Sequence, residues 1–144
     1  MEIRKILSPS KSELARLNSK FWDFVLSKAP NLPAESEDKK FLFSAMEESE
    51  FIGGISGNVY WNGLEIDTIW VEDNYRGKGV GVSLLMEAEK YAIGNGAVVA
   101  FLKTVDAKEF YEKSGYQVYG LLEDRPIGTV LYHMKKRLDE KKSL

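Results

Sequence analysis

Residues 66–81 read IDTIWVEDNYRGKGVG, an apolar strand-like run followed by three alternating glycines where a helical pattern begins. Glycine lacks a Cβ atom, so the backbone at these positions can approach an anion closely. Unpaired amide groups and the dipole at the start of a helix attract phosphate oxygens. The arrangement predicts a phosphate-binding loop, although a glycine turn that only allows close helix–strand packing explains it equally well.

The segments around this loop predict a mixed α/β domain with one sheet. Asn62-Gly63 is a strong hairpin signal, and the unit over residues 64–104 is expected to be a right-handed parallel crossover. In chain order the pattern predicts a strand (2–7), a helix capped by Ser10 (11–28), three antiparallel strands (41–46, 51–61, 64–71), a helix from 80 to a cap at 95–96, a strand (97–104), a short helix (107–114) and two strands (116–122, 129–136).

The composition excludes several classes of function. The chain has 144 residues, no cysteine, one histidine and a formal net charge of −2. These counts leave no disulfide framework, no cysteine nucleophile and no histidine-rich metal site, and His133 itself is interpreted as a structural or surface histidine. The net charge predicts no basic field for nucleic acid, no apolar run is long enough to span a membrane, and residues 1–7 lack the apolar run of a signal peptide. We expect a cytoplasmic protein with no metal and no nucleic-acid or membrane partner.

Two common phosphate loops do not fit the glycine pattern. A Walker loop requires Gly-Lys-Ser/Thr, but Lys78 is followed by Gly79. A dinucleotide fingerprint requires Gly-x-Gly-x-x-Gly, whereas Gly77, Gly79 and Gly81 are spaced Gly-x-Gly-x-Gly. A nucleotide-binding protein therefore remains only a weak alternative.

The loop and a second segment together resemble the GNAT superfamily of N-acetyltransferases. Arg76, Gly79 and Gly81 match the family's Arg/Gln-x-x-Gly-x-Gly/Ala mark, and residues 107–116, AKEFYEKSGY, match Ala-x-x-Phe-Tyr-x-x-x-Gly-Tyr/Phe. The resemblance covers about residues 41–137. It implies a GNAT-like fold, in which a central mixed and mostly antiparallel sheet of about six or seven strands is flanked by helices, as a single domain over residues 1–144.

The resemblance also implies the cosubstrate, acetyl-CoA, and the residues that hold it. In the family the loop amides bind the pyrophosphate, and the pantetheine lies where the strand ending at Val71 splays from the next strand. Asp73 stands where proline is common, and Thr104 stands where many members have asparagine. The implied cofactor-binding residues are Val71, Arg76, Gly77, Lys78, Gly79, Val80, Gly81, Thr104, Ala107 and Tyr111.

The implied reaction is direct transfer of the acetyl group to a primary amine within a ternary complex. A free alkylamine has a pKa near ~10, so a base must take its proton. Glu65 and Asp67 share one face of their strand and are the candidate bases, although strand carboxylates usually face solvent. Tyr111 matches the tyrosine that many members use as general acid, although it could instead only pack the short helix.

The sequence does not identify the acetyl acceptor or the oligomeric state. The amine could belong to a small molecule, a peptide or a protein, and the acidic residues Glu35, Glu37 and Asp38 could attract a cationic acceptor or simply form a solvated loop. A homodimer through residues 129–136 is plausible. The principal alternative to an enzyme is a non-catalytic module that binds acetyl-CoA.

Overall fold

The computed structural model describes residues 1–32 and 38–139. The chain forms two compact units, Met1–Ala34 and Glu35–Leu144. No helix among the described residues combines the length and the apolar run that a membrane crossing requires. The single domain over residues 1–144 stays a prediction.

The first unit contains one helix, α1 (Lys11–Lys28). A reciprocal capping box begins it, because the Glu13 N–H donates to Ser10 Oγ at 3.2 Å and the Ser10 N–H donates to Glu13 Oε1 at 2.9 Å. The bounds of this helix are as predicted. The strand predicted over residues 2–7 is wrong, since those residues form no regular element. Alternation describes one face of a strand, but a strand also requires a hydrogen-bonding partner, which alternation does not supply.

The second unit begins with three antiparallel strands, β1 (Lys39–Glu47), β2 (Glu50–Tyr60) and β3 (Gly63–Val71). The hairpin between β2 and β3 turns one residue earlier than Asn62-Gly63 suggests. Tyr60 pairs with Gly63, so the two central residues are Trp61 and Asn62, with φ of 46° and 61°. Two positive φ values characterise the type I′ turn, whose twist matches that of the strands.

The remaining elements alternate helix and strand. They are α2 (Val80–Gly94), β4 (Val99–Thr104), α3 (Lys108–Lys113), β5 (Gln117–Glu123) and β6 (Val130–Arg137). The six strands form one sheet in the order β1-β2-β3-β4-β6-β5, with β3 and β4 parallel and every other pair antiparallel. The predicted mixed, mostly antiparallel sheet is confirmed with six strands.

The core lies between α2 and one face of the sheet. The apolar stripe of α2 packs on buried strand residues, and together they form one hydrophobic cluster. Each large aliphatic side chain buried in this way stabilises the fold by about 1.5–3 kcal/mol. Fully covered members include Ile55, Leu64, Leu85, Ala88, Ala92, Ala100 and Met134. Since β6 lies inside the sheet and Met134 is buried, this residue cannot supply the dimer surface expected of residues 129–136.

The parallel pair opens towards its carboxyl ends. Only Gly63, Leu64 and Glu65 pair with β4, opposite residues 99–101, although β3 continues to Val71 and β4 to Thr104. In the β2–β3 ladder the register shifts between Ile66 and Thr68, so Asp67 is an extra, bulged residue. The splay and the bulge lie at the strand that precedes the glycine loop.

Candidate active site

The glycine loop ends in a left-handed turn that begins α2. Gly77 and Gly79 have φ of 75° and 84°, and Gly79 is the N-cap residue of the helix. A Cβ atom added at either position would meet no heavy atom within 4 Å, so the space in front of the loop is open. The first amide groups of α2 have no partner within the helix. The loop therefore fits a phosphate group, as its sequence predicts.

A cavity of about 640 Å³ lies in front of this loop, and we call it the glycine-loop cavity. The end of β3, the loop and the start of α3 each contribute one wall. Of the predicted cofactor-binding residues, those that line it are Val71, Arg76, Gly77, Gly79, Val80, Gly81 and Ala107.

Arg76 braces the loop against the end of β3. Its Nε donates to the Val71 carbonyl at 2.9 Å, and its Nη1 lies 2.9 Å from Asp73 Oδ1. The Glu72 N–H donates to Ile52 in β2, so alternation along the strand turns the polar groups of Val71 away from β2, towards the splay. Asp73, which departs from the family's common proline, thus pairs with the arginine of the family mark.

Gly81 has a different role from the two left-handed glycines. A Cβ atom at this position would lie 3.3 Å from the ring of Phe110 in α3, which is tighter than ordinary contact. The missing side chain therefore allows the first turn of α2 to approach α3 closely.

Lys78 and Thr104 do not line the glycine-loop cavity. Lys78 lines a neighbouring cavity of about 440 Å³ with Ser83 and Glu87, and its Nζ lies 5.6 Å from the centre of the Tyr75 ring. Thr104 is buried, and its Oγ1 accepts a hydrogen bond from the Ala107 N–H at 3.0 Å. Thr104 therefore shapes the turn into α3, a role that a short hydroxyl side chain performs well.

Tyr111 is buried and does not line the glycine-loop cavity. Its ring contacts Phe110 and Tyr116 edge-on, with centroid distances of 5.1 Å and 5.6 Å. Burial, and then the negative charge of Asp106, raise the pKa of the Tyr111 hydroxyl to about 12. The hydroxyl is therefore protonated at neutral pH, which a proton donor requires.

A third cavity, of about 460 Å³, lies where β3 and β4 separate, and we call it the β3–β4 cavity. Both predicted carboxylates, Glu65 and Asp67, line it. Burial, followed by the charges of Glu65, Asp38 and Asp67, raises the pKa of Tyr60. The acidic field around this strand therefore includes Asp38, whereas Glu35 and Glu37 lie outside the described residues.

Residues of β3 line both the glycine-loop cavity and the β3–β4 cavity. Ile69, Trp70 and Val71 line the glycine-loop cavity, and residues 65–67 line the β3–β4 cavity. Across residues 1–32 and 38–139, no three histidine or acidic side chains are grouped so that they could hold a metal ion.

The comparison with known proteins agrees with this geometry. The model of the acetyltransferase (GNAT) family matches residues 2–116. This chain belongs to the GNAT family of acetyltransferases. Similar relatives of this GNAT chain include a blasticidin-S acetyltransferase from Streptomyces morookaense, 30% identical over 79% of this chain and 86% of its own length.

Solved structures show the same GNAT fold. An acetyltransferase from Bacillus cereus has a TM-score of 0.79 and 28% identity, covering 93% of this chain and 97% of its own. An aminoglycoside 6′-N-acetyltransferase complexed with coenzyme A has a TM-score of 0.66 and 19% identity, covering 96% of this chain and 100% of its own. The family match and the curated relative identify the GNAT chain as an acetyl-CoA-dependent acyltransferase.

Several residues that line the cavities of this GNAT acetyltransferase are not among the predicted site residues. Tyr75, Asp106 and Phe110 also line the glycine-loop cavity, although Phe110 belongs to the second family mark. Lys103, Tyr119 and His133 also line the β3–β4 cavity, although the sequence indicates only a structural or surface role for His133. Lys103 and His133 are neighbours because β6 pairs antiparallel with β4. No local sequence pattern predicts this pairing.

Proposed function

We propose that this GNAT acetyltransferase moves the acetyl group of acetyl-CoA directly onto a primary amine of a small molecule. The observation that carries the proposal is the adjacency of the two cavities along β3. One cavity offers an anion-binding loop for the coenzyme, and the other offers carboxylates for an amine. The similarity to a blasticidin-S acetyltransferase supports a small-molecule acceptor.

In this proposal the glycine-loop cavity holds the cosubstrate. The open amides at the start of α2 bind the pyrophosphate, and the guanidinium of Arg76 keeps the loop in place. The Val71 N–H, which faces the splay, donates to the acetyl carbonyl and stabilises the negative charge that develops there. Acetyl-CoA supplies the activated acyl group.

The transfer itself requires three proton movements. Glu65 or Asp67 accepts a proton from the acceptor ammonium, directly or through water, and frees the nitrogen lone pair. That nitrogen forms a bond to the acetyl carbonyl carbon while the carbon–sulfur bond breaks, and it then releases its second proton to solvent to give the neutral amide. Tyr111 gives its hydroxyl proton to the departing thiolate, and solvent later returns one proton to Tyr111 and removes one from the carboxylic acid. No cysteine is present to carry the acetyl group between the two substrates, which favours direct transfer.

The coenzyme part of the proposal is tested by calorimetric titration with acetyl-CoA, CoA, ATP and NAD. We expect both CoA species to bind and the two nucleotides to bind weakly. The absence of heat with either CoA species would contradict the proposal.

The transfer part is tested by following thiol release from acetyl-CoA across a panel of amines. With an accepted amine, Glu65→Gln or Asp67→Asn should slow turnover, and the loss should shrink near pH ~10, where the amine loses its proton without help. Glu50→Gln, which removes an exposed carboxylate at the start of β2, is the control and should leave turnover unchanged. Tight binding of acetyl-CoA without thiol release for any amine would instead favour the non-catalytic binding module.

A further inference from the structure

Charges of both signs line the β3–β4 cavity. Glu65 and Asp67 lie on the β3 side, and Lys103 and His133 lie on the opposite side, from β4 and β6. Lys103 forms no ion pair within 4.0 Å with any carboxylate of the described residues, and neither does Glu65 or Asp67 with any cation of that part of the chain. The opposite charges therefore face the same space without neutralising each other.

The separation of the strands keeps these charges apart. Glu65 is the last β3 residue that pairs with β4, and it pairs with Phe101. Asp67 and Lys103 each lie two residues further along, where the strands have diverged beyond the roughly 4.8 Å spacing of a paired ladder. A charged ligand of small size can enter this gap and contact both walls.

Two β-bulges converge on the same cavity. Asp67 is the extra residue in the β2–β3 ladder, and Tyr119 is the extra residue between the β5 residues Val118 and Gly120. Bulges redirect side chains and are frequent next to binding sites. The Tyr119 ring lies 6.0 Å from the His133 ring and 5.7 Å from Lys135 Nζ, so its wall carries additional positive charge.

We infer that the acetyl acceptor is a zwitterion, a small amino acid or amino-acid-like molecule that carries a carboxylate as well as the reacting amine. The inference rests on the amine-acceptor function proposed above and adds the second charged group. The amine lies beside Glu65 and Asp67, and the carboxylate lies beside Lys103 and His133. A diamine would place its second cation against Lys103, where like charges repel.

The test compares acceptors that differ only in the carboxylate. Thiol release is measured with the wild-type protein for each common L-amino acid and for its carboxamide, at saturating acetyl-CoA. For the best pair we expect kcat/KM for the acid to exceed that for the carboxamide about tenfold or more, because a bond to a charged group is lost in the amide. Lys103→Gln should remove that preference and leave KM for acetyl-CoA unchanged.

Lys90→Gln is the matched control, because Lys90 is exposed on α2 outside the lining residues of the cavity and the change in net charge is the same. It should keep the preference for the acid. Lys103→Glu should favour the carboxamide over the acid, because a carboxylate then faces the substrate carboxylate.

The outcomes separate this inference from the proposed function. Equal kcat/KM values for acids and carboxamides, or an equal loss with both in Lys103→Gln, would overturn the zwitterion and leave acetyl transfer intact. If no amino acid or carboxamide releases thiol but another amine does, the zwitterion is overturned and acetyl transfer stands. If no amine of any kind releases thiol, the proposed function fails, and saturation-transfer NMR with the same amino acids in the presence of CoA decides whether this cavity binds a zwitterion. Binding that Lys103→Gln abolishes would support it, and no binding to the wild-type protein would overturn it.

Discussion

At the scale of single residues, the hydroxyl of Tyr111 separates a proton donor from a packing tyrosine. Tyr111→Phe should lower kcat about 10²–10⁴-fold, the usual contribution of a general acid. Affinity for acetyl-CoA, measured by calorimetry, should change little because the ring still packs on Phe110 and Tyr116. Tyr91→Phe, a tyrosine that packs on Phe41 and Phe43, is the control and should keep full activity. Full activity of Tyr111→Phe would assign the proton to water.

The raised pKa of Tyr111 also makes a prediction about alkaline pH. Burial and the charge of Asp106 raise it from 10.0 to about 12, so the folded chain keeps this proton where the unfolded chain has lost it. The folded state therefore binds more protons than the unfolded state between these values, and stability falls as pH rises from about 10 through about 12. In a pH profile of kcat, we expect no decline caused by Tyr111 below about pH 11. A descending limb near pH 10 that is absent from Tyr111→Phe would contradict this assignment.

Alanine substitutions at Gly79 and Gly81 should weaken CoA binding for different physical reasons. Gly79→Ala forces an L-residue to a φ of 84°, which costs about 1–2 kcal/mol, whereas Gly81→Ala directs a methyl group at Phe110. Calorimetry should show weaker CoA binding in both, and Phe110→Leu should restore binding only to Gly81→Ala. Gly94→Ala, at the end of α2 where a Cβ meets nothing within 4 Å, is the control and should bind CoA normally. Rescue of Gly79→Ala by Phe110→Leu would refute this distinction.

At the scale of elements, a buried polar cluster connects α2 to β6 and to the residue that precedes β5. Glu89 accepts from the Tyr116 hydroxyl at 2.7 Å and from Lys136 Nζ at 3.0 and 3.1 Å. Burial, and then the charge of Glu89, raise the pKa of Tyr116. The cluster thus holds in place the tyrosine against which Tyr111 packs.

Loss of the Glu89 hydrogen bonds should lower the stability of the fold and not the rate of acetyl transfer. Glu89→Gln should reduce the free energy of unfolding by about 1.5–3 kcal/mol, because hydrogen bonds to a charged acceptor are lost. Denaturant unfolding measures the change, and the double variant with Tyr116→Phe should lose less than the sum of the single losses because the two side chains are bonded. Glu87→Gln, two residues earlier in α2 and exposed, is the control and should unfold like the wild type. Strict additivity would show that the two side chains act independently.

At the scale of the whole molecule, the structure favours β5 rather than β6 as the contact surface of the expected homodimer. Within the described residues β5 pairs only with β6, and it exposes Leu121 and Leu122 beside a free sheet edge. We expect light scattering to give twice the 16.3 kDa mass of the chain, and Leu121→Lys to return the monomer mass, because charge on an edge strand opposes pairing. Leu42→Lys on β1, at the opposite edge, is the control and should keep the dimer. A monomer mass for the wild-type protein would end this prediction.

The sequence by itself determined the helices, the six strands of the sheet and the glycine loop at the start of α2. These features depend on local chemistry, since the cap at Ser10, the two periodicities of apolar residues and the glycine spacing are each contained in a short stretch. Even there, the turn at Trp61-Asn62 lies one residue from its signal, and residues 2–7 alternate like a strand without forming one.

The tertiary structure alone decided which distant residues share a site. Insertion of β6 between β4 and β5 brings His133 beside Lys103, and the short pairing of β3 with β4 opens the space that both line with Glu65 and Asp67. Strand order and register depend on burial and pairing between segments far apart in the chain. A local pattern contains no record of them, because the hydrogen bonds and packing that select one partner form only when the whole sheet assembles.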